Sequence, residues 1–198
     1  TNLLDINDSR EEQNTISPRV MLKTSQLAYK ISSKKELVTK NLTIAYRNLG
    51  INEMRANNFE SAIYYIGQSQ DRDLLNKCYY NACIYSLNNK NFKKAHSYAN
   101  LNGDIELKTT VSLQEANHYY ETNDTKNALK IYKNLGKHEM VKACLQKDYF
   151  NQYQKIKEVQ TIIDAKKHKS VYQNLLRLAQ EMQDKEREDW VRSILNKI

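Results

Sequence analysis

Tyr46-Arg-Asn-Leu-Gly50 followed by Phe59-Glu-Ser-Ala62-Ile63 is the stretch on which the fold turns. It returns 33 residues later as Tyr79-Tyr-Asn-Ala-Cys83 followed by Phe92-Lys-Lys-Ala95. A fainter third copy holds Ala116 and Ala128 at the same offsets, with Tyr119 three residues after Ala116, so Ala62, Ala95 and Ala128 form one register. Twelve positions before each anchor stands a small residue: Gly50, Cys83, Ala116. Three before stand Phe59, Phe92 and Thr125, and four after stand Ile66, Ala99 and Tyr132. Polar turns recur between these blocks, at Asn57-Asn58, at 88–91 and at 122–124, and Gly103 and Gly136 close the second block of copies two and three. Two antiparallel helices approach closely only where both carry small side chains, with large apolar residues filling the groove on either side. Each such pair then buries its outer face on the next. The pattern predicts a stack of antiparallel helix pairs.

These motifs resemble the tetratricopeptide repeat, with Tyr46 and Tyr79 in place of its usual Trp. The resemblance covers roughly residues 43 to 136. It departs from the family pattern in its 33-residue spacing, in lacking a repeat-ending Pro, and in placing Glu53 and Ser86 where an aromatic is expected. It implies an all-α, right-handed superhelical solenoid of antiparallel helix pairs, with degenerate helices at the C-terminal end.

Composition agrees with a helical chain. Among 198 residues there are four Gly and one Pro, too few for hairpin-rich sheets, while 14 Tyr and a 40% hydrophobic content argue against wholesale disorder. No stretch approaches the roughly 20 apolar residues that span a bilayer. Lys and Arg number 31 against 23 Asp and Glu, for a net charge of +8. The Asn, Lys, Ile and Tyr bias is that of an AT-rich, bacterial genome, which accounts for part of that charge. The chain opens at Thr1, so a signal or lipid anchor is expected upstream if there is one, and the compartment is left open between cytoplasm and envelope.

Outside the repeats, residues 1–16 are polar and aperiodic, a flexible lead-in. Ser17-Pro18 reads as N-cap and first helical residue, and Ser33 with Glu36 as a capping box opening a longer helix that runs to about Asn57. These helices and the three repeats make one section, 17–136. Residues 137–198 make a second, of degenerate capping pairs. There Met140, Val141, Cys144 and Leu145 predict a short helix. Asp148 is expected to cap another that carries Tyr149, Tyr153, Ile156, Val159 and Ile163. Val171, Leu175, Leu178, Ala179 and Met182 form a further stripe, and Asp184 caps a last helix with Trp190, Val191, Ile194 and Leu195 inward.

Catalytic motifs are scarce. No glycine-rich phosphate loop, Cys-x-x-Cys or His-Glu-x-x-His occurs, and the single Glu115-x-x-His118 lacks the second copy that a di-metal bundle needs. Cys78, Cys83 and Cys144 read as buried small hydrophobes rather than a disulfide framework. The basic runs Lys34-Lys35, Lys93-Lys94 and Lys166 to Lys169 are short and interspersed with acids, so nucleic acid is not the expected partner. No cofactor, metal or small-molecule substrate is expected, and membrane contact only through a partner or an upstream anchor.

The resemblance places partner binding on the concave face formed by the first helix of each repeat. By position that face comprises Arg47, Ile51, Met54 and Arg55 in repeat one. Repeat two supplies Tyr80, Ile84 and Leu87, and repeat three Leu113, Asn117 and Tyr120. A carboxylate clamp is disfavoured, since of its positions only Asn81 matches. The expectation is a non-enzymatic scaffold that binds a protein or peptide through this face, envelope-associated in a bacterium. The alternatives are a peptide-sensing regulatory receptor and a basic nucleic-acid-associated repeat protein.

Overall fold

A computed structural model describes residues 17–31 and 35–198. The expected lead-in, 1–16, and Ser33 of the expected capping box lie outside the described residues. Everything regular among the described residues is helix, in eleven segments. They are α1 (Pro18–Ile31), α2 (Lys35–Arg55), α3 (Phe59–Ser69), α4 (Arg72–Asn88), α5 (Phe92–Asn102), α6 (Ile105–Glu121), α7 (Thr125–Asn134), α8 (His138–Gln154), α9 (Ile162–Lys167), α10 (Lys169–Glu181) and α11 (Lys185–Leu195). The chain divides into two compact units after Val111, within α6, whereas the repeat count places its boundary at Gly136.

The 33-residue register is written into the backbone as well as the sequence. Asn57, Lys90 and Asn123 each take a left-handed conformation, with φ of 60°, 55° and 68°. Gln70, Gly103 and Gly136 do the same at the other end of the pair, at 60°, 85° and 65°. One left-handed residue lets a helix end and the chain reverse. Only Gly takes that conformation without steric cost, and Asn tolerates it best among the rest. The caps keep step: Asn91 and Asp124 accept hydrogen bonds from the backbone N–H groups of Lys94 and Asn127, and Asp71 and Asp104 from those of Leu74 and Leu107. Each satisfies a donor that the helix start leaves free.

In the first unit, helices pack on their neighbours in sequence: α1 on α2, α2 on α3, α3 on α4 and α4 on α5. Leu22, Ala45 and Leu49 form one buried cluster; Met54, Phe59, Ala62, Ile66, Leu74, Cys78 and Ala82 a second; Cys83, Leu87, Ala95, Ala99, Leu107 and Val111 a third. The first of the repeat's small positions is a close helix contact. A Cβ built on Gly50 would stand 2.5 Å from Cγ1 of Ile66 and 3.0 Å from its backbone nitrogen. Glu53, where the repeat pattern has an aromatic, instead accepts hydrogen bonds from Arg19 of α1 (3.2 Å) and from Asn58 (2.9 Å). Ser86, in the same position of the next copy, is buried and donates to the Ala82 carbonyl at 2.7 Å.

In the second unit, Ala116, Ala128, Tyr132 and Cys144 form one core. Leu145, Tyr149, Ile156, Ala165, Tyr172, Leu175, Leu178, Ala179 and Val191 form the other. Two expectations are corrected here. Asp148 does not begin a helix: α8 runs unbroken from His138 to Gln154, because the stripe of Cys144, Leu145 and Tyr149 continues through it with no breaker. The helix ends before Ile156, and Thr161 caps the short α9. Asp184 does cap α11, accepting from the Arg187 N–H at 3.1 Å, but Trp190 is not inward; Val191 alone of that helix is fully enclosed.

All three cysteines are buried, Cys78 and Cys83 in separate clusters. Burial pushes both thiols up to about 11, so neither carries appreciable thiolate at neutral pH. A disulfide reagent added to native protein at pH 7.5 should label none of the three, and all three once denaturant is present. Rapid labelling of the native protein would contradict the packing. Gly50→Ala should destabilise by about 1–3 kcal/mol through overpacking, outweighing the gain of about 1 kcal/mol in helix propensity. Denaturant melts of Gly50→Ala in wild-type and Ile66→Ala backgrounds check this, since removing Cγ1 should recover part of the cost and the backbone contact at 3.0 Å should keep the rest.

Candidate functional site

The residues expected on the partner face fall into three groups. Met54 and Leu87 are core, only 4% and 5% exposed, and cannot present side chains to a partner. The helix face carrying them turns inward in the last turn of α2 and α4, where Phe59 and Phe92 begin the next helix. Asn81 is also buried, its amide donating to the Met54 sulfur at 3.7 Å, so it is spent internally.

Arg47, Arg55 and Tyr80 are exposed, and Ile51 and Ile84 are half-buried against the second and third clusters. Arg47 and Tyr80 share one register position, Ile51 and Ile84 the next, so α2 and α4 offer the same short strip. Arg47 is steadied by Asp71, whose carboxylate lies 3.1 Å from its Nε. The same carboxylate caps α4 through the Leu74 N–H at 2.9 Å. That backbone bond, opposed by burial and joined by Arg47, holds the Asp71 carboxyl below the usual range.

In the second unit the expected residues, Asn117 exposed and Leu113 and Tyr120 half-buried, also make contacts within the chain. Asn117 accepts a hydrogen bond from the buried Tyr132 hydroxyl at 2.7 Å. Tyr120 lies under the Lys147 ammonium, 4.3 Å from its ring centroid, and its carbonyl accepts from the same Nζ at 2.6 Å. Leu113 packs on the Ala116 cluster.

The most developed feature of the second unit was not among the expected residues. Gln146, Phe150 and Tyr153 of α8 stand 33 residues beyond Leu113, Asn117 and Tyr120, in the same register. With Tyr149, Arg187 and Trp190 they line a cleft of about 400 Å³ between α8 and α11. Tyr149 is its buried floor; Phe150, Tyr153 and Trp190, at 59%, 39% and 40% exposure, form the rim. Tyr153 and Trp190 touch at a tilt, centroids 5.9 Å apart and planes at 60°, and Trp190 leans on Tyr172 at 6.5 Å. Arg187 lies over the Tyr149 ring at 4.9 Å, its Nε 3.4 Å from Asp184. The signal was present in the sequence, as register counted one unit past Gly136. It was hidden because Asp148 stands where Ala82 occupies the second copy, and the anchor alanine of the fourth pair is missing: 33 beyond Ala128 stands Thr161.

Among the described residues no three His, Cys, Asp or Glu side chains are grouped to hold a metal ion, and no helix is long and apolar enough to cross a membrane. In comparisons with protein-family models and with curated proteins, the chain matches none.

Asp71→Ala should cost about 1 kcal/mol at neutral pH through loss of the cap. Because the folded carboxyl titrates below its unfolded value, that stability is complete above the ordinary carboxylate range and disappears as pH falls through the lowered value. The gap between wild-type and variant urea midpoints should therefore close on acidification from pH 7 toward pH 2; a gap independent of pH would remove the carboxylate from this role.

Proposed function

We propose that this chain is a non-enzymatic adaptor of the tetratricopeptide-like kind, a helix-pair solenoid that binds a protein partner through the face of its first helices. The observation that carries the reading is the register: the exposed or half-buried positions of α2 and α4, Arg47 with Tyr80 and Ile51 with Ile84, recur in α8 as Gln146 and Phe150 on the wall of an open cleft, where Tyr153 takes the position that Met54 and Leu87 bury. Rim aromatics and an arginine around a concave, water-accessible surface are the composition that protein interfaces favour. Helices α2 and α4 are fixed by the buried small residues Gly50 and Cys83 and by the left-handed turns at Asn57 and Lys90. Binding would therefore require little ordering of the backbone.

Several features weigh for an adaptor over an enzyme. The thiols of the buried cysteines are pushed up by burial, away from the thiolate that a nucleophile needs. The one carboxylate in the Arg47 strip is committed to a helix cap. Basic side chains such as Lys94 and Arg192 are engaged in ion pairs with Glu60 and Glu188, and the basic runs 93–94 and 166–169 lie on different helices. An envelope location belongs with this proposal as an extension of the composition.

Tyr80→Ala and Phe150→Ala remove exposed side chains and should leave the melting temperature within about 2 °C of wild type. Each should lower the affinity of the native partner by about tenfold, the loss of one interface anchor. Affinity capture from the source cell with quantitative mass spectrometry, wild type beside both variants, identifies the partner as the protein depleted in the variants. Identical capture profiles for all three would refute the assignment of the face.

A further inference from the structure

The cleft between α8 and α11 has a chemistry specific enough to name its ligand class. Its lining side chains are Gln146, Tyr149, Phe150, Tyr153, Arg187 and Trp190, with no carboxylate among them. Two of the polar groups, the Arg187 guanidinium and the Trp190 indole N–H, donate hydrogen bonds and cannot accept them. Arg187 is held in place by the Tyr149 ring at 4.9 Å, by Asp184 along its Nε edge and by a long contact from Nη1 to the Met182 sulfur at 4.0 Å, which leaves Nη2 to donate to a ligand. The cleft therefore asks for acceptors of negative partial charge.

The aromatic geometry narrows the choice. A box for a quaternary ammonium needs rings on opposite sides of the cation, each within about 6 Å of it, hence facing rings roughly 8–10 Å apart. Here Tyr153 and Trp190 are already in contact at 5.9 Å and inclined at 60°, with Trp190 inclined again to Tyr172 at 53°. Rings touching at such angles make ridges and furrows, not an enclosure. A furrowed aromatic surface that supplies donors complements a polyproline II segment. Its pyrrolidine rings are apolar ridges, it has no prolyl N–H to leave unsatisfied, and its backbone carbonyls project outward unpaired. An α-helix offers no such carbonyls along its length, and an added strand would need a sheet edge, which no described element provides.

We infer that the α8–α11 cleft binds a proline-rich segment of a partner protein in the polyproline II conformation. The furrows between Phe150, Tyr153 and Trp190 receive prolines, and Arg187 and the Trp190 indole donate to the segment's carbonyls. The complementarity is one of partial charge, a guanidinium facing carbonyl oxygens. The inference rests on the reading of the α8 face as a partner-binding surface.

Trp190 is the only tryptophan of the chain, so intrinsic fluorescence reports on the cleft directly. Acetylated decaproline amide, titrated into the full chain, should give a saturable change in Trp190 emission. A Gly-Ser peptide of equal length should give none. Phe150→Ala, at an exposed site, and Arg187→Gln should each weaken decaproline binding by about tenfold, circular dichroism confirming that both remain helical. If Arg187→Gln loses helicity, Phe150→Ala alone decides. Absence of a saturable change, equal binding of the Gly-Ser peptide, or unchanged affinity of Phe150→Ala would each overturn the inference. The partner capture described above separates the two claims. If Phe150→Ala loses a captured protein while decaproline does not bind, the face stands and its proline specificity falls. If decaproline binds through Phe150 but no captured protein depends on that residue, the cleft chemistry stands and the adaptor reading falls.

Discussion

The structure depends on one steric constraint: at fixed intervals two helices must touch with nothing between their backbones larger than a methyl or thiol group. Gly50, Cys83 and Ala116 meet this on the first helix of each pair, Ala62, Ala95 and Ala128 on the second, and every one is buried. At Gly50 the contact leaves no room for a methyl, because a Cβ built there would stand 2.5 Å from Cγ1 of the neighbouring Ile66. Where Ala99 replaces it, Cys83 fits; where Tyr132 replaces it, Ala116 fits and the tyrosine hydroxyl finds Asn117. The contacts compensate one another in volume, as close-packed interiors require.

Around that constraint the turns do the work of direction. Non-glycine residues hold the left-handed position at Asn57, Gln70, Lys90, Asn123 and Gln183. Each carries a steric cost of roughly 1–2 kcal/mol that the surrounding caps and hydrogen bonds offset. Low glycine content therefore does not mean an absence of sharp reversals. It means that the reversals are enforced by packing on both sides, and the strips at Arg47 and Tyr80 inherit that rigidity.

The fold was legible wherever a residue's size alone mattered. The alanine register, Gly103 and Gly136 as helix ends, and Asp184 as a cap follow from local sterics and hydrogen bonding, and the structure has them. Legibility failed where tertiary contact decides. Nothing local distinguishes Met54 and Leu87, at core-facing register, from the exposed Arg47 and Tyr80 seven residues before them on α2 and α4. Asp148 looked like a cap because Asp often is one, but a continuing apolar stripe overrode it. The α8 cleft escaped because its fourth pair lacks the anchor alanine, while its first-helix residues kept the period.

Nearly all packing in the first unit joins elements adjacent in sequence, and in the second the pairs are α7 with α8, α8 with α10, and α10 with α11. The closure entropy that slows sheet proteins is largely absent from such a topology, because each contact forms across a short stretch of chain. Every helix finds its partner within a few dozen residues of its own synthesis. During translation, the order in which the ribosome delivers the helices can be the order in which they bury one another, and a newly emerged pair has its docking surface already waiting behind it.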